Sequence, residues 1–167
     1  SDFEAARSQK IFSALKSRYH TPLELNRDEF KYDLFISYSR QNTPDAKRII
    51  GCLKADNPEI RIFYDLMELD YGSSWQQQIF ETLDFCRKVV PLYSPPYLLS
   101  KVCKDEFNIG LCRHRESKEG VLIPIYLYNA ALPTYMKLTQ YMDCREGDRE
   151  RLREACRNIA IQCQDAG

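Results

Sequence analysis

The sequence predicts an α/β fold: a parallel sheet with helices on both faces. Short apolar runs alternate with stretches of helical periodicity along most of the 167 residues. The first run, Tyr32-Asp33-Leu34-Phe35-Ile36-Ser37-Tyr38-Ser39, is long and apolar and ends in small polar residues. That is how a buried parallel strand reads when it feeds a loop. The spacing between runs leaves room for one crossover helix each, which is the βα unit.

The elements follow in order. Asp2 to Tyr19 has helical patterning, with Phe12, Leu15 and Tyr19 on one face. Thr21-Pro22 ends it, because the residue before proline avoids helical angles. Residues 1–28 are therefore read as an N-terminal helix and linker, and 29–167 as the domain. After the first strand comes the loop Arg40 to Asp45. Thr43 is the expected N-cap, with Pro44 at the first helical position. Ala46, Ile49, Ile50 and Leu53 give that helix an apolar stripe, and Asp56-Asn57-Pro58 stops it. Ile60 to Tyr64 reads as the second strand. Trp75, Ile79, Leu83 and Cys86, at spacings of four, four and three, read as one helix seam. Lys88 to Tyr93 is the third strand, broken by Ser94-Pro95-Pro96-Tyr97. Leu98 to Arg115 reads as mostly helical, with Cys103, Phe107 and Leu111 inward. Val121 to Tyr126 is the fourth strand, with Pro124 marking a strand end or a distortion. Thr139 to Asp143 is a short fifth strand. Arg149 to Gln164 closes the chain, with Leu152, Cys156, Ile159 and Cys163 inward.

Composition narrows the class. Lys plus Arg equals Asp plus Glu, 24 against 24, so the formal net charge is zero. A nucleic-acid or anionic-membrane partner usually needs a basic face, and neither is expected here. No apolar run approaches the roughly 20 residues that span a bilayer. No signal peptide opens the chain, and a cytoplasmic location is expected. The seven cysteines show no CxxC pair, so no metal site is expected and buried, reduced thiols are. His20 falls outside the domain, and His114, between Arg113 and Arg115, reads as a surface residue.

In a parallel sheet ligands sit beyond the carboxyl ends of the strands, at a topological switch point. The loops after the first three strands hold Tyr38 to Arg40, Asp65 to Trp75, and Ser94 to Glu106. These stretches resemble a Toll/interleukin-1 receptor (TIR) domain. Phe35-Ile36-Ser37-Tyr38-Ser39-Arg40 resembles the family's first-strand motif. Phe63-Tyr64-Asp65 with Glu68-Leu69 and Gly72 resembles its second strand and "BB" loop. Val90-Pro91-Leu92-Tyr93-Ser94-Pro95 with Tyr97 resembles its third strand and serine-proline turn. Ser100, Cys103 and Glu106 resemble the motif in which a cysteine precedes a glutamate. The resemblance covers about residues 32–164.

The resemblance implies a flavodoxin-like five-stranded parallel sheet. It also implies one of two functions. Receptor and adaptor members assemble through TIR–TIR contacts. Other members cleave NAD at the nicotinamide–ribose bond, with a catalytic glutamate where Glu106 falls here. The loop Asp65 to Trp75 looks closer to bacterial and enzymatic members than to Toll receptors, which usually carry a proline in it. The expectation is an NAD⁺ nucleosidase in innate-immune or cell-death signalling, active on self-association; the alternative is a non-enzymatic adaptor.

In the enzymatic reading Glu106 is catalytic. Bond cleavage builds oxocarbenium character on the ribose, which one carboxylate can stabilise. Tyr38, Arg40, Asp65, Tyr71, Gly72, Trp75 and Cys103 are grouped as substrate-binding. Arg40 faces the diphosphate or is a solvated loop arginine. Tyr38 lines the ribose pocket or packs. Trp75 is an aromatic wall or core packing. Asp65 contacts substrate or fixes its loop through local backbone hydrogen bonds. Gly72 supplies a positive φ or borders the pocket. Cys103 is packing, not a nucleophile. Glu68, Leu69, Asp70 and Tyr71 are the expected self-association surface. No GxGxxG is present, so NAD⁺ enters as substrate and no cofactor is expected. Partners are NAD⁺ and other TIR domains, with no nucleic acid and no membrane insertion.

Overall fold

The computed structural model describes residues 29–64 and 73–164. The expected N-terminal helix at Asp2–Tyr19 lies outside them.

Five parallel strands form one sheet in the order β2-β1-β3-β4-β5. They are β1 (Tyr32–Ser37), β2 (Ile62–Phe63), β3 (Cys86–Tyr93), β4 (Ile125–Tyr126) and β5 (Met142–Asp143). The helices are α1 (Thr43–Asp56), α2 (Ser73–Leu83), α3 (Pro95–Leu99), α4 (Lys101–Glu116), α5 (Thr134–Lys137) and α6 (Arg149–Cys163). The chain leaves β1 towards β2 on one side and returns to β3 on the other. The switch point therefore lies between the carboxyl ends of β1 and β3.

Strand alternation sorts side chains to two cores. Leu34 and Ile36 of β1 join Val90 and Leu92 of β3 under α1 and α6. Phe35, Val89 and Tyr93 point the other way, to Ile79, Leu83, Tyr97, Cys103 and Phe107 under α2, α3 and α4. Covering both faces is why β1 reads as an unbroken apolar run. The inward residues expected for α1 and α6 are all buried. Helix α4 seats close on β3: a Cβ at Gly110 would stand 2.8 Å from Leu122 Cδ2 and 3.6 Å from Val89 Cβ. Five of the seven thiols are buried, Cys52 is half-buried and Cys112 is exposed.

Several boundaries differ from the sequence reading. Helix α2 ends at Leu83, and Cys86 opens β3 instead of continuing the seam. Arg113 explains the stop: its Nη1 donates to the carbonyls of Leu83 (2.6 Å) and Cys86 (2.8 Å). Carbonyls at a helix end need such donors. The turn keeps Cys86 on the face of Leu83, so helical spacing runs on past the helix. The mostly helical stretch Leu98–Arg115 divides between two helices at Ser100, whose hydroxyl accepts the Cys103 amide at 3.2 Å. Serine favours that role over a helix interior. Thr43 is not a side-chain cap. A 3-10 turn at Arg40–Asn42 precedes α1, and the Thr43 hydroxyl donates back to the Arg40 carbonyl at 2.6 Å. The β4 ladder is shorter than expected: Leu122 makes an isolated bridge to Val89, and Pro124 separates it from Ile125. Proline has no amide to give a ladder. Strands β2 and β5 are likewise only two residues each.

His114 is a further correction. It is half-buried, and its Nδ1 accepts the amides of Val121 (2.9 Å) and Leu122 (3.0 Å). It thereby pins the segment leading into β4. A ring nitrogen that accepts is unprotonated, so the imidazole is neutral. Burial, then the nearby Lys88 charge, lower its pKa from the ordinary 6.5. The unfolded chain takes the proton more readily. The stability contributed is thus complete above about pH 6.5 and is lost as pH falls towards the folded value. His114→Gln, which keeps an acceptor but cannot titrate, should flatten the fall of melting temperature with acidification below that pH. Parallel curves for the two proteins would contradict this role.

Candidate active site

The site is built where β1 and β3 end. Ser37 is the last residue of β1, and strand alternation turns it to the same face as Phe35. Glu106 lies in the second turn of α4, one helical turn beyond Cys103 on the same inward face. Its side chain is buried, with 6% exposure, where a helix-surface glutamate would be solvated. The Ser37 hydroxyl donates to Glu106 Oε1 at 2.7 Å. Ser37 Oγ also lies 2.9 Å from the Tyr97 hydroxyl. Tyr97, fully buried on α3, donates to the Cys103 carbonyl at 3.2 Å. A buried carboxylate is costly unless hydrogen bonds replace its water, and Ser37 supplies one.

Its neighbours stay neutral. Burial, then the charges of Cys103 and Glu106, push the Tyr97 hydroxyl well above its ordinary range. Burial, then Glu106, push the Cys103 thiol up to about 12. A thiol held that high is not a nucleophile at neutral pH.

A second polar chain braces the same edge from the α1 side. The Ser94 hydroxyl donates to Asn42 Oδ1 (2.7 Å), and Asn42 Nδ2 donates to Asp45 Oδ2 (3.2 Å). The Tyr128 hydroxyl donates to Asp45 Oδ1 at 2.9 Å. Burial, then the bond to Asp45, raise the Tyr128 pKa. This chain ties the ends of β3 and β4 to the start of α1. Ser94 Oγ also accepts the Tyr97 amide at 3.2 Å, so it fixes the start of α3.

The expected site residues separate. Glu106 and Cys103 come together, with Cys103 as packing. Tyr38 is half-buried and packs against the core under α1 and α6, on the opposite face from Ser37 and Glu106. Arg40 is exposed in the 3-10 turn. Asp65, Glu68, Leu69, Asp70, Tyr71 and Gly72 lie outside the described residues, as does the side chain of Trp75. Ser37, Tyr97, Asn42 and Asp45 were not singled out from sequence. Ser37 was accessible by counting two along the strand from Phe35. Tyr97 sits three residues after a capping serine, which marks it as first-turn but not as a donor. Among the described residues no cluster of three or more His, Cys, Asp or Glu is arranged to hold a metal ion. No helix among them is long and apolar enough to cross a membrane.

With this geometry in hand, the comparisons give the class. The TIR-domain family model matches residues 34–157, and the chain belongs to the TIR family. The five-stranded parallel sheet is the flavodoxin-like TIR architecture. The chain is similar in fold to the TIR domain of the Toll-related receptor TRR-2 from Hydra magnipapillata. Identity is 20%, TM-score 0.59, with 81% of this chain and 100% of that chain covered. It is also similar to a metazoan TIR-STING receptor from C. gigas solved with 2′,3′-cGAMP. Identity is 17%, TM-score 0.62, with 81% of this chain and 41% of that chain covered. A prokaryotic SEFIR domain matches at 16% identity, TM-score 0.53, over 81% of this chain and 94% of that one. No curated protein matches the sequence.

Asn42 is the member of the brace with bonds on both sides. Asn42→Ala removes both and leaves the Ser94 hydroxyl and Asp45 Oδ2 without them. Unfolding in urea should show a loss of about 1–3 kcal/mol. A loss within error of zero would mean the brace carries no stability.

Proposed function

We propose that this TIR domain is an NAD⁺ nucleosidase of the NAD-cleaving kind, with Glu106 as its catalytic residue. The observation that carries the reading is Glu106 itself: a carboxylate buried at the carboxyl end of β1, its Oε1 2.7 Å from the Ser37 hydroxyl. A glutamate kept only for solubility has no reason to be there. The location is the switch point where a parallel sheet binds its ligands.

The chemistry asks little of the protein. The bond between nicotinamide N1 and ribose C1′ breaks, and its electron pair goes to the ring, neutralising the pyridinium charge. C1′ gains oxocarbenium character. Glu106 stabilises that charge, which is worth most in a site shielded from water. Water adds to C1′ and loses a proton, giving ADP-ribose; attack by a group of the same substrate gives a cyclic form instead. Nicotinamide leaves without protonation, so one carboxylate suffices. Arg40, exposed at the rim, is available to the diphosphate. The surface at Glu68 to Tyr71 is proposed to meet a second TIR domain, so activity depends on self-association. The setting is innate-immune or cell-death signalling in the cytoplasm.

The test is nicotinamide release from NAD⁺ across a series of protein concentrations. Release per molecule should rise with concentration. Glu106→Gln, which keeps shape and removes charge, should lower it by about 100-fold or more. No release at any concentration, or release indifferent to the substitution, would overturn the enzymatic reading and leave a TIR scaffold that works by contact alone.

A further inference from the structure

The hydroxyls around Glu106 obey a proton count. Ser37 has one hydroxyl proton, and it goes to Glu106 Oε1 across 2.7 Å. Ser37 Oγ is then only an acceptor towards Tyr97, 2.9 Å away. The Tyr97 proton must serve both Ser37 Oγ and the Cys103 carbonyl, 3.2 Å off. With the Ser37 proton on the carboxylate, only Tyr97 can donate across the 2.9 Å contact, with a proton it shares with the Cys103 carbonyl. Such a chain polarises along its length, so each bond strengthens the next.

Its outer end is held firmly. The Tyr97 ring packs on Tyr93 (centroids 6.1 Å apart), and Tyr93 packs on Phe107 at the same separation. Its amide is tied to Ser94. A serine hydroxyl turns about its Cβ–Oγ bond and can point its proton elsewhere. A fixed donor from behind removes that freedom.

We propose that Ser37 and Tyr97 are positioning residues for Glu106: Tyr97 orients the Ser37 hydroxyl, and Ser37 holds Oε1 of the carboxylate. The inference rests on the nucleosidase reading only for its effect on turnover. The positioning itself is a statement about the carboxyl group and is measurable without activity. Two titratable groups lie close to Glu106: Cys103 on its own helix and Tyr97 on α3. Burial keeps both protonated, so neither obscures a change in the titration of Glu106.

The experiment uses Ser37→Ala, Tyr97→Phe and the double variant, with folding checked by melting. Two readouts are taken. The first is the titration of the Glu106 carboxyl carbon by ¹³C NMR, assigned with Glu106→Gln. Ser37→Ala should move the midpoint up by about one pH unit, since a donor to the charged form is gone. Tyr97→Phe should move it the same way by less. In the Ser37→Ala background Tyr97→Phe should add nothing, because its route to the carboxyl is already cut. The second is nicotinamide release, where Ser37→Ala should lower kcat by about 10- to 100-fold with KM little changed.

An unmoved midpoint in both single variants would overturn the positioning role whether or not the protein turns over NAD⁺. So would additive shifts in the double variant. If the wild type releases no nicotinamide but the midpoints move as stated, the relay stands and the nucleosidase reading falls. If Ser37→Ala fails to fold, Tyr97→Phe, which only removes a hydroxyl, decides by its own midpoint.

Discussion

One hydrogen bond organises this end of the molecule: the Ser37 hydroxyl to the buried carboxylate of Glu106. It joins residues 69 apart in sequence, from strand β1 to a helix on one face. Nearly everything around it exists to hold both partners. Strand β1 is covered on both faces, which places Ser37 against the helix that carries Glu106. The break at Ser100 starts α4 where Glu106 turns inward. Gly110 lets the same helix lie against β3. A buried acid with this support is a constraint the fold carries at a cost, and such groups cluster at functional sites.

The second chain, from Ser94 through Asn42 and Asp45 to Tyr128, does a different task. It closes the opposite side of the same edge and ties the ends of β3 and β4 to α1. Ser94 is the hinge between the chains, since it fixes both Asn42 and the amide of Tyr97. The carboxyl edge is thus a rigid floor. Pre-arranged charge in a rigid setting is what stabilises a developing cation without reorganisation.

Much of this was legible in the sequence. The apolar run of β1, the stripes of α1 and α6, and the break at Ser94-Pro95-Pro96 each state one physical requirement, and each holds. The misreadings at Cys86 and His114 share a cause: a local signal was overridden by a partner on another element. Cys86 continued a helical spacing, yet Arg113 from another helix ended that helix at Leu83. His114 between two arginines looked solvated, yet it receives two amides from the segment before β4. The sequence leaves Tyr38 between lining the pocket and packing, and the pleat sends it to the face opposite the acid, where it packs. Ser37 and Tyr97 escaped notice because nothing in a single residue's type says which hydroxyl will meet a carboxylate across the fold. Thr43 lost the cap role because Ser39 begins the turn earlier.

TIR membership fixes the fold and leaves two ways of working, by chemistry or by contact. The buried acid is the ground on which the enzymatic way is proposed here. Its proposed task is to steady positive charge at ribose C1′, so the atom to watch is C1′. The direct measurement is the secondary isotope effect on kcat/KM with NAD⁺ deuterated at C1′, run in competition with unlabelled NAD⁺. The account predicts that the deuterated substrate is consumed more slowly, because C1′ flattens as its charge builds. Equal consumption of the two, with nicotinamide still released, would contradict it.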